Sequence, residues 1–274
     1  MAGALAQPFA PPALERGGPH PYNPALPGPM LRPERCFSRA RNGPAMPAPD
    51  LVIFDCDGVL VDSEIIAARV DAQLLTEAGY PIEAEAMAER FAGLTFTQAL
   101  QEIEREAGIV FQLSMVARAD KMIDDRLKRE LKAIEGAREA LLAAGPKRCL
   151  CSNSSDERLA LSLEKTGLAP FVGGPVFSAK SLDGVREKPA PDVYLHAARE
   201  AGADPARCFV LEDSVHGVAG ARTAGMRVIG FTGGAHSYPG HGDRLIEAGA
   251  ETVINRLADF AGIVAALGEF GMLE

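Results

Sequence analysis

The chain reads as an α/β protein: a doubly wound parallel sheet with an all-helical segment inserted after its first strand. Three observations carry that expectation. Beyond Gly136, short apolar runs alternate with helical patterns, as parallel strands buried on both faces by helices do. From Ile65 to about Leu131 the sequence is rich in Ala, Glu, Leu and Arg at helical spacing and shows no buried-strand pattern, so this stretch lies outside the sheet. Acidic and hydroxyl clusters stand where apolar runs stop, at the strand ends where such sheets bind ligands.

Composition narrows the function. A formal net charge of -9 over 274 residues argues against a nucleic-acid partner, whose phosphates are bound by basic surface. A small phosphorylated metabolite stays compatible, because a local cation can override the global sign. No apolar run approaches the length that spans a bilayer, and nothing points to an obligatory protein partner. The five cysteines, Cys36, Cys56, Cys149, Cys151 and Cys208, are odd in number and fall mostly in apolar runs. They read as buried thiols of a protein in a reducing cytoplasm, and Cys149-x-Cys151 lacks the paired spacing of a zinc site.

Taken in order, residues 1–49 hold twelve of the chain's 20 Pro, with five Arg, two Glu and no Lys or Asp. Such proline density permits no periodic structure, and a disordered or extended tail is expected. It has neither the amphipathic helix of a transit peptide nor the continuous apolar core of a secretory signal, and Met46 is a candidate start. Residues 50–64 and 132–274 are assigned to the α/β core and 65–131 to a helical cap.

Leu51–Phe54 reads as a strand that ends at Asp55-Cys56-Asp57-Gly58. Alternation along the strand points Asp55 and Asp57 the same way and turns Cys56 aside, and Gly58 lets the backbone leave sharply. Two carboxylates this close need a cation or a shared proton, unless they merely cap the next helix. The helical segment breaks at Gly79-Tyr80-Pro81, at Phe91 to Thr95 and at Gly108, which gives about four helices. Gly93 to Thr97 is either a loop that reaches a substrate or a plain turn. Then follow a strand at Arg148–Cys151, a helix at Asp156–Thr166, a strand at Val176–Phe177 and a helix at Asp192–Ala201. Strands at Cys208–Leu211, Arg227–Phe231 and Thr252–Ile254 alternate with helices at Val215–Ala224 and His241–Ala248.

Three more clusters occupy strand ends. Ser152 and Asn153 precede a helix start, where unpaired backbone donors can hold an anion, although Ser154, Ser155 or Asp156 could simply cap that helix. Lys188 is held between Glu187 and two prolines in Lys-Pro-Ala-Pro-Asp, and is either a fixed point charge or a solvated turn residue. Glu212 and Asp213 form a second acidic pair, suited to an oxygen-loving cation or to capping. His236 and His241 flank Ser237-Tyr238-Pro239-Gly240, read as a solvated loop with a substrate-edge role as the alternative.

Together these four clusters, in this order, resemble motifs I to IV of the haloacid-dehalogenase (HAD) superfamily, in its subfamily with a helical cap after motif I, over residues 50 to about 256. The resemblance implies a Rossmann-like core and a Mg²⁺-dependent phosphatase acting on a small phosphorylated metabolite, a sugar phosphate or related polyol. It makes Asp55 the nucleophile and Asp57 the general acid and base. Gly58, Ser152 and Asn153 would hold the phosphoryl oxygens, and Lys188 would offset the negative charge. Mg²⁺ would be held by Asp55, the Asp57 carbonyl and Asp213, with Glu212 binding directly or through water. Two rival readings are a phosphomutase and a catalytically silent binding module. In the β-phosphoglucomutase group, a histidine after motif I and an arginine in the cap loop align with Ala67 and Phe96, which favours hydrolysis, with Arg69 or Lys121 as possible stand-ins.

Overall fold

Six parallel strands form the sheet: β1 (Leu51–Phe54), β2 (Arg148–Ser152), β3 (Val176–Ser178), β4 (Cys208–Glu212), β5 (Arg227–Phe231) and β6 (Thr252–Ile254). Their spatial order is β3-β2-β1-β4-β5-β6. The computed structural model describes residues 48–112 and 114–270, which belong to one compact unit. The expectations about the proline-rich tail, Met46 and Cys36 lie outside the described residues.

β1 explains why the sheet is covered on both faces. Val52 and Phe54 enter one apolar cluster and Leu51 and Ile53 another, as a period of two requires when both faces are packed. On the first face Phe54 meets Phe260 with ring centroids 5.1 Å apart. On the second, β1 and β4 pack against Val193 and Tyr194. The strand order turns between β1 and β4, because the chain winds outward through β2 and β3 before returning to β4 beside β1. That switch point opens a crevice at the carboxyl ends of the strands.

The segment inserted after β1 holds four helices: α1 (Glu64–Glu77), α2 (Ala84–Arg90), α3 (Phe96–Ala107) and α4 (Ser114–Glu130). Thr95 caps α3 through its side chain in a reciprocal pair with Gln98, which accounts for the sharp start after Gly93-Leu94. α1 has two working faces. Ile65, Ile66, Val70 and Leu74 pack with the sheet cluster, whereas Ala68, Ala72 and Leu75 join Met87, Phe91, Leu100 and Ile103 in a separate helical core. The two crossings into and out of this segment run side by side, Asp62 N–H donating to Lys132 O and Ile134 N–H to Leu60 O.

The remaining helices are α5 (Ala137–Ala143), α6 (Asp156–Lys165), α7 (Ala169–Val172), α8 (Asp192–Ala201), α9 (Val215–Thr223), α10 (His241–Glu247) and α11 (Phe260–Phe270). Of these, α5, α7 and α11 were not expected from the sequence: the first two are short, and α11 is apolar along most of its length, so periodicity gives it no distinct face. The four described cysteines are buried and free, as expected. Among the described residues, no helix is long and apolar enough to cross a membrane.

Candidate active site

β2 and β4 each run one residue further than the sequence suggested, so Ser152 and Glu212 sit on strands rather than loops. A rigid strand end fixes a side chain better than a loop does. Asp55 follows β1, its N–H donating to Leu211 O of the neighbouring strand. Lys188 reaches in from the loop before α8 and spends its three protons on fixed partners. Its Nζ donates to Asp55 Oδ1 at 2.7 Å, to Cys151 O at 2.8 Å and to Glu212 Oε1 at 2.5 Å. Asn153 holds the Lys188 backbone from both sides, accepting from its N–H at 2.9 Å and donating to its carbonyl at 3.2 Å.

Glu212 is fully buried, and both its oxygens are occupied. Oε1 takes Lys188 and the Tyr194 hydroxyl, and Oε2 takes the Ser214 N–H and hydroxyl. A buried carboxylate satisfied this fully acts as an anchor for Lys188. Its oxygens lie within 4.8 Å of oxygens of Asp55 and Asp213, but those of Asp55 and Asp213 are less fully committed and better placed for a cation. Gly217 makes the arrangement possible, since a Cβ there would stand 1.9 Å from Glu212 Oε1.

Asp57 accepts from the hydroxyls of Ser63 at 2.7 Å, Ser154 at 2.7 Å and Ser152 at 3.3 Å. It is thus tied to the first residues of the helical segment and to the end of β2. Ser155 caps α6, leaving Ser152 and Ser154 for the site. Gly58, expected to contact the substrate, donates its N–H to Val61 O at 2.8 Å. With φ of +75°, it also makes room for Asp213, whose Oδ2 a Cβ would approach to 1.9 Å.

The solvated loop expected at His236 and His241 is corrected. His236 pairs through Nε2 with Asp213 Oδ2 at 2.9 Å, and His241 donates from Nε2 to the Asp213 carbonyl at 2.7 Å. Two imidazoles therefore fix the acid at both its carboxylate and its backbone. Tyr194, Ser63, Ser154 and the two histidines are site residues that sequence reasoning missed or underrated. Tyr194 lies in a helix where an aromatic residue reads as core, and it packs as core while its hydroxyl serves Glu212.

The electrostatics show what the cluster lacks. Burial pushes the Asp55 carboxyl well up, with the Lys188 charge opposing. Asp213 is also raised by burial, against the opposing pull of His236. Burial alone would lower the Lys188 ammonium, but Asp55 and Glu212 outweigh it and hold it above its ordinary value. Burial alone would lower the His236 imidazole, but Asp213 outweighs it and raises it to about 9, so Lys188 and His236 face three buried acids, and the remaining carboxylate oxygens of Asp55 and Asp213 suit a hard divalent cation.

These groups share a cavity of about 710 Å³ whose far wall is built from α1, α2 and the Gly93–Thr95 turn. Ala67 lines it; Phe96 does not, and packs between the sheet-side and helical cores. Asp71 on α1 also lines it, is 9% exposed, and has no hydrogen-bond partner for Oδ1 among the described residues. Burial, then the charges of Glu64 and Asp120, raise this carboxyl from 3.8 to about 7. An acid raised on folding costs nothing below its unfolded value; the cost grows as pH climbs from about 4 to about 7 and is constant above. Asp71→Asn is therefore expected to raise the thermal midpoint at pH 8 by the equivalent of up to about 4 kcal/mol, with no gain at pH 4. Parallel melts at the two pH values check this; equal gains at both would contradict it.

The fold and the buried carboxylate–lysine cluster define an α/β enzyme with its site at the switch point of a parallel sheet. Residues 49–225 match the haloacid dehalogenase-like hydrolases, and the chain belongs to that family. It is similar to a solved haloacid dehalogenase-like protein of unknown function from Agrobacterium tumefaciens, 54% identical, with TM-score 0.78 over 80% of this chain and 99% of that one. A HAD family hydrolase from Deinococcus radiodurans, solved with bound phosphate and sodium, is 35% identical, with TM-score 0.68 over 82% of this chain and 98% of that one. The 6-phosphogluconate phosphatase of Escherichia coli is 31% identical over 69% of this chain and 86% of its own length.

Proposed function

We propose that the chain is a Mg²⁺-dependent phosphatase that hydrolyses a small phosphorylated metabolite, a sugar phosphate or related polyol phosphate, through a phosphoaspartate on Asp55. The observation that carries this reading is the Lys188 ammonium, bonded at once to Asp55 and Glu212 at the ends of adjacent strands, with Asp57 held two residues away over the same cavity. The phosphatase relative and the phosphate bound in the Deinococcus protein agree with it. The chain is accordingly a phosphoric monoester hydrolase.

In the first step an Asp55 carboxylate oxygen forms a bond to phosphorus as the ester O–P bond breaks. Asp57 gives its proton to the departing oxygen. In the second step water attacks phosphorus, Asp57 takes its proton, and the Asp55 carboxylate leaves with phosphate released. Ser152 and Asn153 hold the transferring oxygens, and Lys188 keeps Asp55 aimed and offsets charge. Asp55, Asp213 and the Asp57 carbonyl would hold Mg²⁺, which would supply positive charge where an anionic nucleophile meets an anionic ester. The segment Glu64–Glu130 serves as the cap that closes the cavity against solvent.

Hydrolysis is favoured over phosphoryl transfer back to a sugar, because Ala67 on the cavity wall and Phe96 in the core offer no hydrogen bond or charge to hold a sugar phosphate in two orientations. With β-glucose 1-phosphate and Mg²⁺, free phosphate is expected to form faster than glucose 6-phosphate, and exhaustive chelation should stop it. Faster isomerisation would replace this reading with a mutase, and turnover surviving chelation would remove the metal from it.

A further inference from the structure

α1 carries two carboxyls toward the cavity. Glu64 opens the helix and Asp71 follows seven residues later, on the same face and about 10 Å further along the axis; both line the space that holds Asp55 and Asp57. Glu64 is exposed to that space. Asp71 is enclosed, with Oδ1 unpartnered, and the helical-core residues that share the lining, Ala68, Met87 and Phe91, offer no polar side-chain group. Unsatisfied buried polar groups are rare and expensive. A carboxyl kept in this state beside a substrate cavity has its partner in the ligand.

The lysines, arginine and histidines that line the same cavity all come from the α/β core segments of the chain and none from the helical segment. Lys188 is committed to Asp55 and Glu212, Arg158 to Asp124 at 2.8 Å and Asp120 at 3.7 Å, and His236 to Asp213 at 2.9 Å. Lys180 lies on the turn just after β3, away from α1 in the chain and on a sheet-side element. The helical segment, which would face the end of the substrate remote from phosphorus, thus adds two acids, Glu64 and Asp71, and no cation to the lining. We propose that Asp71 is a specificity-determining residue that hydrogen-bonds a hydroxyl at that remote end, selecting a neutral polyol chain over one that ends in a carboxylate. This rests on the phosphatase reading above and deepens it. A hydroxyl both donates and accepts, so it satisfies Asp71 directly, whereas at pH 8, where the comparison is made, a carboxylate would meet Asp71 and Glu64 as like charges.

Two six-carbon esters isolate the choice. Glucitol 6-phosphate ends in a hydroxymethyl group and 6-phosphogluconate ends in a carboxylate. For the wild-type enzyme kcat/KM is expected to favour glucitol 6-phosphate by about tenfold or more. Asp71→Asn, which adds a donor and removes the charge, is expected to raise kcat/KM on 6-phosphogluconate by about tenfold, a gain that misfolding cannot produce. Equal rates or a preference for 6-phosphogluconate in the wild type would overturn the inference, and so would an Asn variant with an unchanged ratio. p-Nitrophenyl phosphate separates the two levels: hydrolysis of it with the wrong preference sinks this inference alone, and no hydrolysis of any ester sinks the phosphatase reading beneath it.

Discussion

Asp55→Asn is expected to lower phosphate release on the order of 10⁴-fold or more while the protein stays folded. An amide has nearly the shape of the carboxylate but cannot attack phosphorus. The fold should tolerate it, because the change removes one negative charge from a buried group that already holds Asp55, Glu212 and Asp213 around a single Lys188. Steady-state phosphate release and the thermal midpoint, measured on one preparation, check both halves. A variant that turns over at the wild-type rate would remove Asp55 as nucleophile.

Lys188→Met is expected to fail in both respects. The ammonium is the only charged donor to Glu212 among the described residues, and that carboxylate is fully buried. Taking one partner from a buried ion pair strands the other and costs about 3–5 kcal/mol, which corresponds to a midpoint lower by on the order of 10 °C. Activity should be lost with it, since Asp55 also loses its partner. Lys188→Arg should not rescue, because a planar guanidinium cannot direct donors to Asp55, the Cys151 carbonyl and Glu212 from one compact centre. A Met variant that keeps its midpoint and its rate would show that the three-way contact matters little.

Much of this arrangement was legible in the sequence because backbone periodicity dictates it. Leu51–Phe54 announced a strand buried on both faces, and the residues that end β1, β2 and β4 had to meet once the strands were parallel neighbours. What could not be read was which side chain meets which. Glu212 and Asp213 looked equivalent as a pair of acids, yet alternation sends Glu212 to Lys188 and Tyr194 and leaves Asp213 between two histidines. His236 and His241 lay in a loop rich in Gly, Ser and Pro, the composition of solvated turns, and only the fold shows that the loop turns back onto Asp213. Gly58 was read as a way out of the strand; its lack of a side chain is also needed by an acid 155 residues away. Asp71 gave no signal, since an acid in an Ala-rich helix is usually at the surface.

The central claim is that phosphate leaves by way of a covalent bond to Asp55, in two displacements at phosphorus. Stereochemistry measures this directly. With a phosphorothioate ester made chiral by oxygen isotopes and hydrolysed in water of the third isotope, the wild-type enzyme is expected to release thiophosphate with net retention of configuration, because each of the two displacements inverts the centre. Net inversion would mean that water attacks the ester in a single step, and would contradict the phosphoaspartate account.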